Sequence, residues 1–196
     1  SYPASLVDTA CAAAGLSPGS PVVEIGCGTG KLTVALAERE LRVEAIDPGT
    51  RLLEIARRHT EGSAVRFRVG RFEDVDLPGG AFDAVFSSAA FHWVDPEVGW
   101  SKAAKVLRNG GVLALFTHVR SGMEPEPRAR LREAWQQVVP EAASWPSRDA
   151  ATIWKGAEER RGNVSEVWSW LEGHDLARPE AGTLFEDVEL ATVAEE

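Results

Sequence analysis

Val22-Val23-Glu24-Ile25-Gly26-Cys27-Gly28-Thr29-Gly30 decides the fold of this chain: an apolar run carrying one carboxylate, then glycine at every second position, then a helical pattern from Lys31. Branched apolar residues favour a buried strand, and glycines let the backbone turn sharply and approach a ligand where a Cβ would collide. The stretch reads as strand, tight turn and helix, with a nucleotide-type ligand at the turn. The spacing then separates two ligand classes. A dinucleotide fingerprint is G-x-G-x-x-G, but the sixth position counted from Gly26 is Lys31, so the pattern here is G-x-G-x-G.

From residue 22 onward, strand-like runs alternate with helical patterns, which is the signature of a parallel sheet covered by helices on both faces. Strands are expected near 22–26, 43–47, 65–69, 82–87 and 112–117, and helices near 4–14, 30–39, 49–59 and 97–108. Pro48-Gly49 and Leu77-Pro78-Gly79-Gly80 punctuate two loops, and Asn109-Gly110-Gly111 is expected to end a helix with a left-handed cap. After about residue 118 the order changes. Prolines stand at 125, 127, 140, 146 and 179, between helical stretches near 128–139, 149–161 and 164–172. We read 119–183 as a helical insertion within a single domain that spans 1–196. Residues 184–190 then alternate like a late strand with one exposed face.

A chain of 196 residues suits one domain with a substantial core. Its formal net charge of −9 and pI near 5.0 oppose nucleic acid or an anionic membrane as the main partner; a small molecule fits better. The acidity is uneven. Residues 1–120 carry 13 basic and 14 acidic side chains, net −1, whereas 121–196 carry 8 and 16, net −8. Cys11 and Cys27 form no C-x-x-C and follow no secretory signal, so reduced thiols in a cytoplasmic protein are expected. No apolar run reaches the length needed to cross a bilayer. The four histidines, His59, His92, His118 and His174, are scattered without metal-ligand spacing, and there is no G-x-S-x-G nucleophile elbow.

Individual residues then point to chemistry. Glu24 is a carboxylate at the end of an apolar strand, costly to bury unless a partner such as an ammonium group compensates it; the alternative is that it caps the amides of its own turn. Val43-Glu44-Ala45-Ile46-Asp47-Pro48 puts an acid at the end of the next strand, about twenty residues on, where it can accept from ribose hydroxyls or else cap the following helix. Gly70-Arg71-Phe72-Glu73-Asp74-Val75 follows the third strand. Phe82-Asp83-Ala84-Val85-Phe86-Ser87-Ser88-Ala89-Ala90-Phe91-His92-Trp93-Val94-Asp95-Pro96 runs from the fourth strand into a loop that should face the ligand, because open α/β sheets bind beyond the carboxyl ends of their strands.

Taken in order, these motifs resemble the class I S-adenosylmethionine-dependent methyltransferases. Ala90-Phe91-His92-Trp93 with Asp95-Pro96 resembles their small-molecule branch, including the trans-aconitate type. Val106-Leu107-Arg108-Asn109-Gly110-Gly111-Val112 resembles the family's helix, Gly-Gly turn and fifth strand, with Asn109 where proline is usual. The resemblance covers residues 2 to about 118, with 184–190 as a looser match. It implies a Rossmann-like, doubly wound, mostly parallel sheet with helices on both faces, S-adenosylmethionine as cofactor, and methyl transfer to a small-molecule acceptor. It also implies a cofactor wall of Glu24, Gly26, Cys27, Gly28, Gly30, Asp47, Pro48, Phe72, Glu73, Ser88 and Ala89. Glu24 would lie beside the cofactor's amino group, and Phe72, Glu73 or Asp74 would meet its adenine. Phe72 has a second reading as core, and the two acids as solvated surface.

His92 is the candidate general base, or else a structural histidine. The acceptor pocket is expected from Tyr2-Pro3, the His92 loop and residues 118–183, which hold five of the seven tryptophans, as an aromatic lid or as ordinary helix packing. The family's sheet ends in two further strands where only one candidate remains here, so we expect the chain to be a fragment or to lack segments. Two other readings compete. A nicotinamide-dependent oxidoreductase would share Asp47 but needs the absent glycine, and a non-catalytic cofactor-binding module would explain a missing final strand.

Overall fold

Val22 and Val23 are both fully buried. Neighbouring strand residues face opposite sides of a sheet, so this strand must be covered on both faces. In the computed structural model, which describes residues 2–116 and Arg130, it is β1 (Pro21–Ile25), the centre of a five-stranded sheet. The other strands are β2 (Arg42–Asp47), β3 (Val65–Val69), β4 (Phe82–Ser88) and β5 (Leu107–Phe116), arranged 3-2-1-4-5 with every pair parallel. The register sets Glu24 between Ala45 of β2 and Phe86 of β4.

Helices α1 (Ala4–Ala13), α2 (Lys31–Ala37) and α3 (Thr50–His59) supply Val7, Leu32, Leu36 and Leu53 to one core, which takes Val22, Val43, Ala84 and Phe86 from the sheet. On the opposite face, α4 (Pro96–Val106) brings Trp100, Ala103 and Val106 onto Val23, Ile25, Ile46 and Val85. The expected doubly wound fold is therefore present. Asp95 starts α4 by accepting the Glu97 amide at 3.0 Å, and Phe91, in a single 3-10 turn at Phe91–Trp93, packs edge-on to Trp100 with ring centroids 4.7 Å apart.

One boundary differs from expectation. The helix ends at Val106, and the strand expected from 112 already begins at Leu107, which pairs with Phe82 and is buried beneath α4. Pairing resumes at Ala84 with Val112, so residues 108–111 bulge out opposite Asp83. Arg108 closes the bulge with an ion pair to Asp83, and Gly110, at φ +72, turns inside the bulge instead of capping the helix. The expected insertion, its tryptophans and the strand at 184–190 lie outside the described residues. Among the described residues no helix is long and apolar enough to cross a membrane, and no His/Cys/Asp/Glu group could hold a metal ion.

Candidate functional site

The sheet order reverses at β1, because the chain first builds outward through β2 and β3 and then returns to start β4 on the other side. That switch point opens a crevice beyond the strand ends. The three glycines of the turn line up there, each for a different reason. A Cβ on Gly26 would lie 2.3 Å from Cβ of Ala90, which sits directly against it. On Gly30 it would strike Ala56 of α3 at 2.9 Å, so this glycine lets α2 and α3 approach. On Gly28 it would meet no protein atom within 4 Å, and there the requirement is a backbone φ of +55.

The turn borders a cleft of about 240 Å³ lined by Tyr2, Glu24, Gly26, Cys27, Gly28, Thr29, Lys31, Leu32 and Ser88. A wider, shallower depression of about 690 Å³, lined by Pro18, Gly19, Arg42, Glu61 and neighbours, lies at the opposite end of the strands.

Glu24 is 2% exposed, and its Oε2 is buried with no hydrogen-bond partner among the described residues. Burial pushes its carboxyl up to about 7; the Thr33 hydroxyl pulls it back and the Asp47 charge adds to the rise. Thr33, fully buried on α2, shows the same deficit: its Oγ1 completes no hydrogen bond of ordinary geometry, to Glu24 or elsewhere in the described structure. Burial and the charges of Glu24 and Asp47 also raise the Cys27 thiol, which stays protonated.

Asp47 uses both carboxylate oxygens to organise loops. Oδ2 accepts the Gly28 amide at 2.9 Å and Oδ1 the Gly49 amide at 2.7 Å. It does not cap α3, whose N-cap is Gly49 with no side-chain cap bond. A carboxylate has about four lone-pair directions, so acceptor capacity remains. Pro48 is exposed on the same loop. On the other wall, Ser88 Oγ donates to the Tyr2 hydroxyl at 2.6 Å, and the Tyr2 ring packs near Phe116. Ala89 adopts φ +49, its amide donating to the Phe116 carbonyl at 2.9 Å.

Three further expected site residues lie outside the lining of that cleft, as do Gly30, Asp47, Pro48 and Ala89. Phe72 is a core side chain, 2% exposed in the cluster under α4, with the Lys102 ammonium 5.3 Å from its ring centre; its apolar surface is already covered. Glu73 clasps two loops together. Its Oε1 accepts from the Arg71 guanidinium at 2.7 Å and the Asp95 amide at 2.9 Å. Desolvation works to raise its carboxyl, but the Asp95 amide, its own amide and Arg71 together hold it below the usual range. His92 is exposed on the 3-10 turn beside Trp93, which is 78% exposed, and neither lines the cleft.

A methyltransferase domain family matches residues 23–115, the span from β1 to β5. Residues 23–115 are thus similar to a methyltransferase domain. An uncharacterised methyltransferase of Mycobacterium tuberculosis is 38% identical over 120 residues, covering 61% of this chain and 47% of the relative. The malonyl-[acyl-carrier protein] O-methyltransferase of Serratia marcescens is 36% identical over 122 residues, covering 62% of this chain and 45% of the relative. The chain thus spans about half the length of the curated relatives it matches. Among solved structures, a proposed type II methyltransferase of Anaeromyxobacter dehalogenans superposes with a TM-score of 0.56 at 28% identity, covering 77% of this chain and 61% of the other.

The matched family and the fold imply S-adenosylmethionine as cofactor, and the described residues fit it on two counts. The unpartnered Glu24 oxygen borders the cleft and suits an ammonium group, and the open side of Gly28 suits close approach by a ligand. Sequence reading missed Thr33, buried behind the cleft on α2, and the bond that joins Ser88 to Tyr2. Thr33 was legible in principle, because the first turn after a G-x-G-x-G loop faces the strand end that carries Glu24. The bond between Ser88 and Tyr2, 86 positions apart, left no local signal.

Proposed function

We propose that this domain binds S-adenosylmethionine in the cleft beyond β1, β2 and β4 and transfers its methyl group to a small-molecule acceptor. The observation that carries the reading is the buried, unpartnered Glu24 oxygen beside a glycine turn, since a carboxylate in that position calls for a cationic partner. Glu24 would hold the α-amine of the cofactor's methionine part. Asp47, fixed by two amides, would accept from the ribose hydroxyls, with Pro48 and Gly49 shaping the loop beside it. Gly26, Cys27, Gly28 and Gly30 would form the floor, and Ser88 and Ala89 the facing wall.

The sulfonium of the cofactor supplies an already activated methyl group, so these residues need mainly to align an acceptor and exclude water. His92, exposed at the loop after β4, would serve as base for a hydroxyl acceptor and be dispensable for a carboxylate. The Serratia relative is an O-methyltransferase, and an oxygen nucleophile is the acceptor class we place first here. Cys11 and Cys27, both free thiols, suit a cytoplasmic setting.

Calorimetric titration tests the reading directly. S-adenosylhomocysteine should bind with one-to-one stoichiometry and NADH should not; binding of NADH alone would refute it. With the cofactor established, failure to methylate any of a broad set of carboxylate, hydroxyl and amine acceptors would favour a non-catalytic binding module.

A further inference from the structure

Glu24 and Thr33 form a buried polar pair that cofactor contacts alone leave incompletely explained. Glu24 needs only a cationic partner, yet the hydroxyl of Thr33, fully buried on α2, also acts on its carboxyl, and neither Glu24 Oε2 nor Thr33 Oγ1 has a hydrogen-bond partner of ordinary geometry among the described residues. Other ionisable groups around Glu24 do not neutralise it. Asp47 of β2 opposes its ionisation, and Cys27 in the turn is a neutral thiol. Lys31 of α2 and Tyr2 line the cleft, and Arg57 of α3 acts on Cys27. β4 presents Phe86, Ser87 and Ser88 on its side, none of them charged.

We propose that Thr33 is a positioning residue that makes cofactor capture proton-coupled: without a cationic ligand Glu24 holds a proton donated toward Thr33 Oγ1, and arrival of an α-ammonium group expels that proton to solvent while the Thr33 hydroxyl turns to donate to the carboxylate. A hydroxyl can fill both roles because it is donor and acceptor at once. No covalent bond other than the carboxyl O–H breaks, and the proton leaves to buffer. The exchange rests on the reading that the cleft takes S-adenosylmethionine, and it deepens that reading by making the amine the group that is selected. Burial, which raises the Glu24 carboxyl to about 7, places the exchange near neutrality.

The test is the pH dependence of binding, measured by calorimetry in buffers of differing ionisation enthalpy so that released protons are counted. For S-adenosylhomocysteine the affinity should rise about tenfold from pH 6 to pH 8, with proton release on the acid side. For 5′-methylthioadenosine, which lacks the amino acid tail, it should stay flat. Thr33→Val should move the midpoint of that rise to higher pH, and Thr33→Ser should restore it, an effect that loss of packing would not produce. Glu24→Gln should abolish the rise. A flat profile for S-adenosylhomocysteine, an equal slope for 5′-methylthioadenosine, or an unmoved midpoint in Thr33→Val would each overturn the proposal while leaving the cofactor assignment standing. Absence of S-adenosylhomocysteine binding at every pH would overturn both.

Discussion

Replacing Glu24 by glutamine should stabilise the cofactor-free protein at alkaline pH, although the residue lies at the heart of the glycine motif. The reason is linkage. The Glu24 carboxyl is raised from 4.5 to about 7, so between those values the native state holds a proton that the unfolded chain has released. Stability therefore falls as pH rises through that window, and above it the full cost of a buried charge applies. At about 1.4 kcal/mol per unit, the shift corresponds to about 3 kcal/mol in the fully ionised limit.

Glutamine keeps the shape and a polar partner for Thr33 but carries no charge, so its stability should be flat across the same window. The assay is urea unfolding of dialysed protein at pH 5 and pH 8, for wild type and Glu24→Gln. Wild type should lose about 1–3 kcal/mol relative to the variant on going from pH 5 to pH 8. Glu73, held low by its hydrogen bonds, contributes with the opposite sign: its stabilisation is present above the ordinary carboxyl range and lost as pH falls below it. That contribution is common to both proteins and cancels in the comparison. Parallel pH profiles, or a variant less stable than wild type at pH 8, would refute the argument that Glu24 is buried at a net cost.

Asp47→Ala should weaken S-adenosylhomocysteine binding by about 1–3 kcal/mol through lost charged hydrogen bonds and by freeing the Gly28 and Gly49 amides; unchanged affinity in calorimetry would remove Asp47 from the site. Gly26→Ala should destabilise the fold by about 2–4 kcal/mol, as its Cβ would lie 2.3 Å from Ala90 Cβ at φ +69. Combining it with Ala90→Gly should recover the steric part and leave the backbone strain of about 1–2 kcal/mol, and additivity in that double-mutant cycle would contradict the contact. His92→Ala should leave the unfolding midpoint and cofactor affinity unchanged but slow transfer to hydroxyl acceptors; equal slowing with a carboxylate acceptor would exclude a base role.

The parts of the molecule legible in the sequence were those encoded by neighbours. The run from Val22 to Gly30 declares strand, turn and helix within nine residues, and the doubly wound sheet follows from repeating that unit. What escaped depended on partners far along the chain. The start of β5 is set by Leu107 burying itself beneath α4 and by Arg108 reaching Asp83, neither of which the Asn-Gly-Gly signal contains. Phe72 follows a strand in a motif that contacts cofactor in the resembled family, and apolarity alone could not separate that role from core packing. In the structure the Phe72 side chain is buried in the core cluster, and Lys102 lies over its ring while donating to the Glu73 and Val75 carbonyls. The 3-10 turn carrying His92 is three residues long, too short for any periodicity to report which way the imidazole faces.

The buried Glu24 carboxylate and the positive φ of Ala89 lie at one end of this sheet and are mechanically linked, whereas Glu40, at φ +56, precedes β2 at the other end. Ala89 holds φ +49, a conformation that costs an alanine about 1 kcal/mol or more. The strain persists because both flanks are fixed: Ser88 is tied to Tyr2, the Ala89 amide to Phe116, and Ala90 is pressed into the space that Gly26 leaves open. Gly26 in turn is anchored through its amide to the Ile46 carbonyl, one residue before Asp47. A shift at any of these positions would be felt at the glycine turn, at the acid of β2 and at the wall of β4 together. The fully buried Val22, Val23, Val85 and Phe86 give β1 and β4 the packing against which that strain is held. This explains why a buried carboxylate and an alanine with positive φ both survive beside the cleft: the same contacts that make them costly fix the positions of the groups proposed to meet the cofactor.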